Sequence, residues 1–320
     1  MYTVGIDLGG TNIAAGICDE NLNIIIKGSV PTHAERGPLP IVADMASLVK
    51  DLVAKAGIGL DEIAYVGIAS PGSINATEGI VEYSNNILMS NFPMCEEFKK
   101  HLDVKDVYIA NDANAAALGE ALAGAARGAG VAVMITLGTG VGGGVIIDGK
   151  IFSGGINCCG TELGHTILVS GGKQCSCGRR GCWEAYSSAT ALIAMTKDKM
   201  RELELKGIPS ALFDIAAKQG KVSGRTAFDA MRQGDKYGQQ IVDEYVGYLA
   251  AGVANMINIF QPEVLSIGGG ISNEKDYLLS PLTELVNIEQ YTRDNPNKCK
   301  ILIAGLGNDA GIIGAAGLGR

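Results

Sequence analysis

The chain is short of positive charge. Its 26 Lys and Arg residues face 34 Asp and Glu, a formal net charge of −8. Non-specific binding to nucleic acid or to an anionic membrane surface needs a basic face, so this balance argues against both. Proline is scarce at nine residues and no Gly-x-y period occurs, which excludes a collagen-like chain. No apolar run approaches the ~18 residues of a membrane span. The opening Met1-Tyr-Thr-Val-Gly-Ile-Asp7 also lacks the basic and apolar regions of an export signal. A cytoplasmic location is therefore expected, with the eight cysteines reduced rather than paired as disulfides.

Glycine is what the chain has in excess. It supplies 45 of 320 residues, about twice the ordinary share of ~7%. Such a surplus belongs in turns or where backbone approaches a ligand. Apolar residues at 47% and charged residues at 19% provide for an ordinary globular core. The length suggests about two domains at ~150 residues each.

The first segment reads as strand, turn, strand, turn, strand: Tyr2–Asp7, Leu8–Thr11, Asn12–Cys18, Asp19–Asn21 and Leu22–Lys27. A second passage repeats the plan in Val131–Thr136, Leu137–Gly140, Gly143–Ile147, Asp148-Gly149 and Lys150–Phe152. An offset of 129 residues, from Leu8 to Leu137, also carries Gly9 onto Gly138. Internal duplication explains this economically and predicts two facing lobes; the alternative is two glycine-rich hairpins alike by chance. Elsewhere Ile41, Val42, Met45, Leu48, Val49, Leu52 and Val53 have helical spacing, as does a longer run from Ile241 to Ile257. Strands are expected at Ile63–Ala69, Val107–Ala110, Val264–Ile267 and Ile301–Ala304, with helices at Ala113–Ala123 and from about Asp309. Strands alternating with helices indicate an α/β fold.

Two glycine motifs fail their context. Gly138 to Gly143 fits the dinucleotide pattern but opens a hairpin rather than a helix. Gly144 to Lys150 begins like a Walker loop, yet Ile151 stands where the Mg²⁺-binding hydroxyl belongs. What remains is a pair of β-turn-β loops, Asp7-Leu-Gly-Gly-Thr-Asn12 and Thr136-Leu-Gly-Thr-Gly140. Turns free of side chains let backbone N–H groups converge on an anion, so the loops suit two phosphates of one nucleotide, or are merely tight hairpins. Asp7, at a strand end beside the first loop, suits Mg²⁺. Asn111-Asp112 stands between strand and helix, where Asp112 is either the helix cap or an acceptor for a hydroxyl proton. His165 with Cys175, Cys177 and Cys182 forms a Cys₃His set, a closed tetrahedral arrangement for structural Zn²⁺. Glu162 and Glu184 flank it, as solvated carboxylates or as ligands aimed at a polar substrate.

Together these residues resemble the ROK sugar-kinase family, within the actin-like and hexokinase-like ATPase superfamily. The resemblance covers essentially the whole chain. It implies a two-lobed fold of duplicated ribonuclease H-like domains with a zinc-binding loop. The small lobe would hold residues 1–118 and 304–320; the large lobe would hold residues 119–303. Asp7, Gly9, Gly10, Thr11 and Asn12 are similar to the first phosphate loop, and Gly138, Thr139 and Gly140 to the second. Gly268, Gly269 and Gly270 resemble the adenosine motif. By resemblance Asp112 is the general base, and Asn111, Glu162, His165 and Glu184 contact the sugar, His165 serving zinc as well. Ser70-Pro-Gly72 resembles the loop that approaches the sugar, with Gly72 close to it. Ser84-Asn-Asn-Ile87 stands where glucokinases often carry Asn-Leu-x-Trp; Met89 replaces the aromatic, and Asn85 and Asn86 are both candidates for the contact.

The implied reaction is ATP-dependent phosphorylation of a hexose 6-hydroxyl, with Mg²⁺, glucose being the first expectation. N-acetylmannosamine is the main alternative, and fructose and allose are weaker ones. A homodimer or homotetramer is implied by the resemblance alone. A transcriptional repressor is not expected, because the first phosphate loop begins at Asp7 and leaves no room for a helix-turn-helix. A non-catalytic sugar sensor would have lost the base or a phosphate loop, and both are present.

Overall fold

The computed structural model describes residues 1–85, 87–156 and 160–320. Asn86, one of the two candidates for a sugar contact, lies outside the described residues, as do Cys158 and Cys159. In chain order the elements are β1 (Tyr2–Leu8), β2 (Asn12–Cys18), β3 (Ile24–Pro31), α1 (Pro38–Ala56), β4 (Ile63–Ser70), β5 (Ser73–Asn75), β6 (Ile80–Ser84) and β7 (Met89–Phe92). There follow α2 (Met94–Lys99), β8 (Val107–Asn111), α3 (Asp112–Ala123), β9 (Val131–Leu137), β10 (Val141–Ile147) and β11 (Lys150–Phe152). The rest are α4 (Glu184–Ser187), α5 (Ala189–Leu205), α6 (Ala211–Gln219), α7 (Thr226–Arg232), α8 (Lys236–Phe260), β12 (Val264–Gly268), α9 (Asp276–Glu289), β13 (Lys300–Ile303) and α10 (Ala310–Ala316).

Two five-stranded sheets share one plan. The first has the order β3-β2-β1-β4-β8 and the second β11-β10-β9-β12-β13. In the first, β1 pairs antiparallel with β2 and parallel with β4, and β4 pairs parallel with β8. In the second, β10 pairs antiparallel with β11, and β12 pairs parallel with β13. The 129-residue offset carries β1 onto β9 and β2 onto β10 end to end, and β1 and β9 have the same alternation of buried and half-buried positions. Asp148 and Gly149, both at positive φ, make the tight turn from β10 to β11. A small three-stranded sheet, β5-β6-β7, was not expected from the sequence.

The chain divides into two compact units, one of Met1–Met134, Gly144–Thr161 and Gly305–Arg320, the other of Ile135–Gly143 and Glu162–Ala304. The boundary expected at residue 118 lies inside α3, a continuous helix to Ala123. The division therefore groups residues 119–134 and 144–161 with the first unit.

Part of the glycine surplus has a structural use in the first unit that the motifs did not suggest. A Cβ on Gly5 or Gly67 would stand 1.9 and 1.8 Å from carbonyl oxygens of α10, and one on Gly119 would stand 2.5 Å from the oxygen of Ala310. On α10 itself, a Cβ at Gly314 would stand 1.6 Å from the oxygen of Ala115. Sheet, α3 and α10 thus meet backbone to backbone, a packing that any side chain would prevent. The apolar face of α1, from Ile41 to Val53, joins β1, β2 and β4 in the unit's main core.

Candidate functional site

In the first unit the parallel register brings three chain segments to neighbouring strand ends. Asp7 of β1 lies opposite Ala69 of β4, and Ser70 lies opposite Asn111 of β8. Asp7, Ser70-Pro71-Gly72 and Asn111-Asp112 therefore occupy the carboxyl ends of adjacent strands, where open α/β sheets place their ligand sites. The first glycine loop is closed by the Gly9 N–H donating to the Asn12 oxygen at 3.0 Å. Buried Thr32 braces it, its hydroxyl donating to the Gly9 oxygen at 2.6 Å and its N–H to the Thr11 oxygen at 2.9 Å. Gly10, Thr11 and Asn12 are left exposed.

The helix cap is Asn111, not Asp112. The Asn111 Oδ1 accepts from the N–H groups of Ala113 and Asn114 at 3.0 and 3.2 Å, while its Nδ2 donates to the Gly72 oxygen at 3.1 Å. This side chain fixes both the start of α3 and the approach of Gly72. Asp112 follows on the first helical turn, its Oδ1 accepting from Ala113 N–H at 2.8 Å. Burial holds its carboxyl above the ordinary range, with the N–H of Ala113 opposing. Burial, and then the charge of Asp112, push Asp7 up to about 6. Two half-buried carboxyls, each raised by burial and Asp7 raised further by the charge of Asp112, suit a divalent cation or a proton acceptor. Gly72 has φ +107°, and a Cβ there would meet the Tyr83 oxygen at 2.1 Å. Asn85 is exposed and its Oδ1 accepts from the Tyr83 hydroxyl.

In the second unit the glycine turn is closed by Gly138 N–H donating to the Gly140 oxygen at 3.0 Å. The start of α5 grips it from outside: Ala189 N–H donates to the Gly138 oxygen at 2.9 Å and the Thr190 hydroxyl to the Thr139 oxygen at 2.8 Å. Gly269, at φ +83°, packs so closely on the base of the turn that a Cβ would stand 2.5 Å from the Leu137 oxygen. Gly268 ends β12, and Gly270 begins a short 3₁₀ turn. The expected adenosine motif therefore adjoins the expected phosphate loop.

His165, Cys175, Cys177 and Cys182 converge, with one ligand atom from each lying within 4.8 Å of the others. Cys177 and Cys182 sulfurs are 3.7 Å apart, far beyond a disulfide bond, and Cys175 Sγ is 3.6 Å from His165 Nδ1. Two thiolates at ~2.3 Å from a tetrahedral Zn²⁺ stand about 3.8 Å apart, so the residues fit such an ion before it is bound. Burial pushes the Cys182 thiol up to about 12, whereas the Arg179 N–H holds Cys177 low. Because Nδ1 of His165 faces the sulfurs, Nε2 is the ring nitrogen remaining for another partner. The Glu162 carbonyl accepts from His165 N–H at 3.0 Å.

Glu184 is more deeply tied into the protein than its position beside the cysteines suggested. Its Oε2 accepts from Val141 N–H at 3.1 Å, and its Oε1 accepts from the Ser176 hydroxyl at 2.8 Å. Ser176 and Thr32 were not foreseen, since an exposed serine and a lone threonine carry no motif. The Asn111 cap had a signal in the Asn placed just before a helical run.

Comparison with known proteins places this geometry among relatives. The ROK family profile matches residues 3–320. A glucokinase of Thermotoga maritima is 39% identical, covering 99% of this chain and 97% of its own. An N-acetylmannosamine kinase of Salmonella typhi is 30% identical, with 99% and 97% covered. Among solved structures, a ROK family glucokinase from Streptomyces griseus in complex with glucose and AMPPNP superposes with a TM-score of 0.81, at 31% identity and 99% coverage of both chains. Sequence and fold agree over essentially the full length, and the chain belongs to the ROK family.

Proposed function

We propose that this chain transfers the γ-phosphoryl group of ATP to the 6-hydroxyl of a hexose, converting glucose to glucose 6-phosphate. The observation that carries this reading is Asp112, which Asn111 releases from capping and which burial makes a better proton acceptor. Asp112 takes the proton of the 6-hydroxyl as its oxygen bonds to the γ-phosphorus; the bond to the bridging oxygen breaks and ADP leaves. Gly9, Gly10, Thr11 and Asn12 offer donors to phosphate oxygens, as do Gly138, Thr139 and Gly140. Gly268, Gly269 and Gly270 receive the adenosine. Asp7 would hold Mg²⁺ directly or through water, and the ion neutralises phosphate charge.

Glu162, Glu184 and His165 Nε2 recognise sugar hydroxyls together with Asn111 and Asn85 or Asn86, and Gly72 lets the backbone come close. Structural Zn²⁺ on His165, Cys175, Cys177 and Cys182 holds this loop. The reading includes a cytoplasmic homodimer or homotetramer; among the described residues no helix is long and apolar enough to cross a membrane. The relative named for N-acetylmannosamine makes that sugar the second substrate to test.

The test is ADP release against a panel of hexoses and N-acetylhexosamines. Glucose is expected to give the highest kcat/KM, and a higher value for N-acetylmannosamine would replace it. Asp112→Asn should retain sugar binding while kcat falls by about 10³-fold or more. Near-normal turnover in that variant would remove Asp112 from the base role.

A further inference from the structure

The segment that carries the metal ligands also grips the second glycine turn. Glu184 Oε2 accepts from Val141 N–H at 3.1 Å, and a Cβ on Gly140 would stand 2.2 Å from that same oxygen. Glu184 Oε1 accepts from the hydroxyl of Ser176, which stands between two of the cysteines, at 2.8 Å. On the other side Gly164, next to His165, packs so closely that its Cβ would lie 2.0 Å from the Val141 oxygen. Just beyond Glu184, Ala189 and Thr190 hold the carbonyls of Gly138 and Thr139. Both peptide groups of Val141 and two carbonyls of the turn are thus fixed by residues 164–190. A carboxylate has about four lone-pair sites, so these bonds leave Glu184 able to accept from a sugar hydroxyl as well.

We propose that Ser176 and Glu184 form a relay that couples metal occupancy of the Cys₃His cluster to the nucleotide affinity of the turn Gly138–Gly140. An ion on Cys175 and Cys177 fixes the backbone on both sides of Ser176 and aims its hydroxyl at Glu184. Glu184 in turn fixes the Val141 N–H and the direction in which the neighbouring donors of the turn point. Without the ion, residues 175–177 keep the turn bonds of Cys175 to Arg179 and Gly178 and the Cys175 Sγ contact to Glu184 Oε1 at 3.6 Å, but lose the tether shared with His165 and Cys182, so the outer anchor of the carboxylate is held less firmly. Ser176 is a positioning residue in this scheme: it touches neither nucleotide nor metal. The inference rests on the reading that the turn binds a nucleotide phosphate.

The experiment uses the full chain and measures two quantities that do not depend on turnover: zinc per chain, and the Kd of MgAMPPNP by calorimetry without sugar. The wild-type titration tests the underlying reading by itself, since a zinc-loaded chain that does not bind AMPPNP has no nucleotide turn for the relay to serve. Given wild-type binding, Ser176→Ala is expected to keep its full zinc content and to bind AMPPNP about three- to tenfold more weakly, a fraction of the worth of one hydrogen bond to a charged group because Ser176 acts on the turn only through Glu184. Ser176→Thr, which keeps the hydroxyl, is expected to restore wild-type affinity. Stepwise chelation of the wild type should weaken AMPPNP binding in proportion to the zinc removed. A zinc-replete Ser176→Ala chain with wild-type affinity would overturn the relay. So would loss of zinc from that variant, which would make Ser176 part of the metal site itself.

Discussion

At the scale of single residues, the site is built from groups held in states that water would not favour. Asp7 is the clearest case, its carboxyl raised to about 6 by burial first and by Asp112 second. Between its ordinary value of 3.8 and about 6, the folded chain keeps a proton that the unfolded chain has released. The contribution to stability is therefore most favourable below the ordinary value and is lost as pH rises through about 6, a cost of about 3 kcal/mol at neutral pH. Asp7→Asn removes the charge, so without nucleotide or Mg²⁺ the variant should be more stable than wild type at pH 7.5 by up to about 3 kcal/mol, and equal to it near pH 4. Urea unfolding at the two pH values measures this, with turnover at pH 7.5 expected to fall sharply. A stability difference independent of pH would show that the Asp7 charge is not the cause. Under the proposed function, the pH-dependent outcome would mark Asp7 as a group that trades stability for function.

At the scale of elements, legibility followed locality. Strands β1 and β2 and their copies β9 and β10 could be read because alternation, a glycine turn and a second strand lie within about 20 residues of one another. The sheet of β5, β6 and β7 was missed because its strands span three to five residues and include Glu82 and Asn91 among the apolar positions. Helix α9 contains Pro281, which read alone argues against a helix interior. The cysteine cluster was legible because its ligands recur within a short loop, whereas Ser176 and Val141 meet Glu184 only through the fold. The anchoring of α10 was equally hidden. Glu120 of α3 is fully buried; its Oε2 accepts from the N–H groups of Ala125 and Gly305 at 2.7 and 3.0 Å, and its Oε1 from that of Leu306 at 2.8 Å. Two of these donors begin the segment that leads into α10. Glu120→Ala would take the carboxylate from three donors, of which Ala125 and Leu306 are half-buried and Gly305 is exposed, so water replaces the acceptor only in part and a loss of about 2–3 kcal/mol is expected. Urea unfolding of the variant is the check, and a change below about 1 kcal/mol would mean that the α10 packing carries the anchor unaided.

At the scale of the whole molecule, the two sheets show why the repeat is visible at one end and not at the other. In the first copy one helix, α1, connects the strand β3 to β4; in the second copy residues 153–263 separate β11 from β12. That long connection carries the cysteine cluster, and from Glu162 to Glu184 its regular structure is one three-residue 3₁₀ turn before α4 begins. A segment with so little regular structure of its own is a natural place for a metal to supply folding energy. Trp183 reports on it directly. It is the chain's one tryptophan, it follows Cys182, it is fully buried, and it packs so tightly on α8 that a Cβ at Gly252 would stand 1.9 Å from its ring. Chelating the metal should shift Trp183 emission to longer wavelength as water reaches the indole, and should lower the Tm by several degrees. Zn²⁺ should reverse both changes and Mg²⁺ should not. Because the Cys182 thiol must give up a proton that burial holds up to about 12, metal binding releases protons, and the zinc concentration needed for half-reversal should rise as pH falls. Emission and Tm that ignore both chelation and pH would show that the cluster folds without an ion and that the long connection is held by its packing on α8 alone.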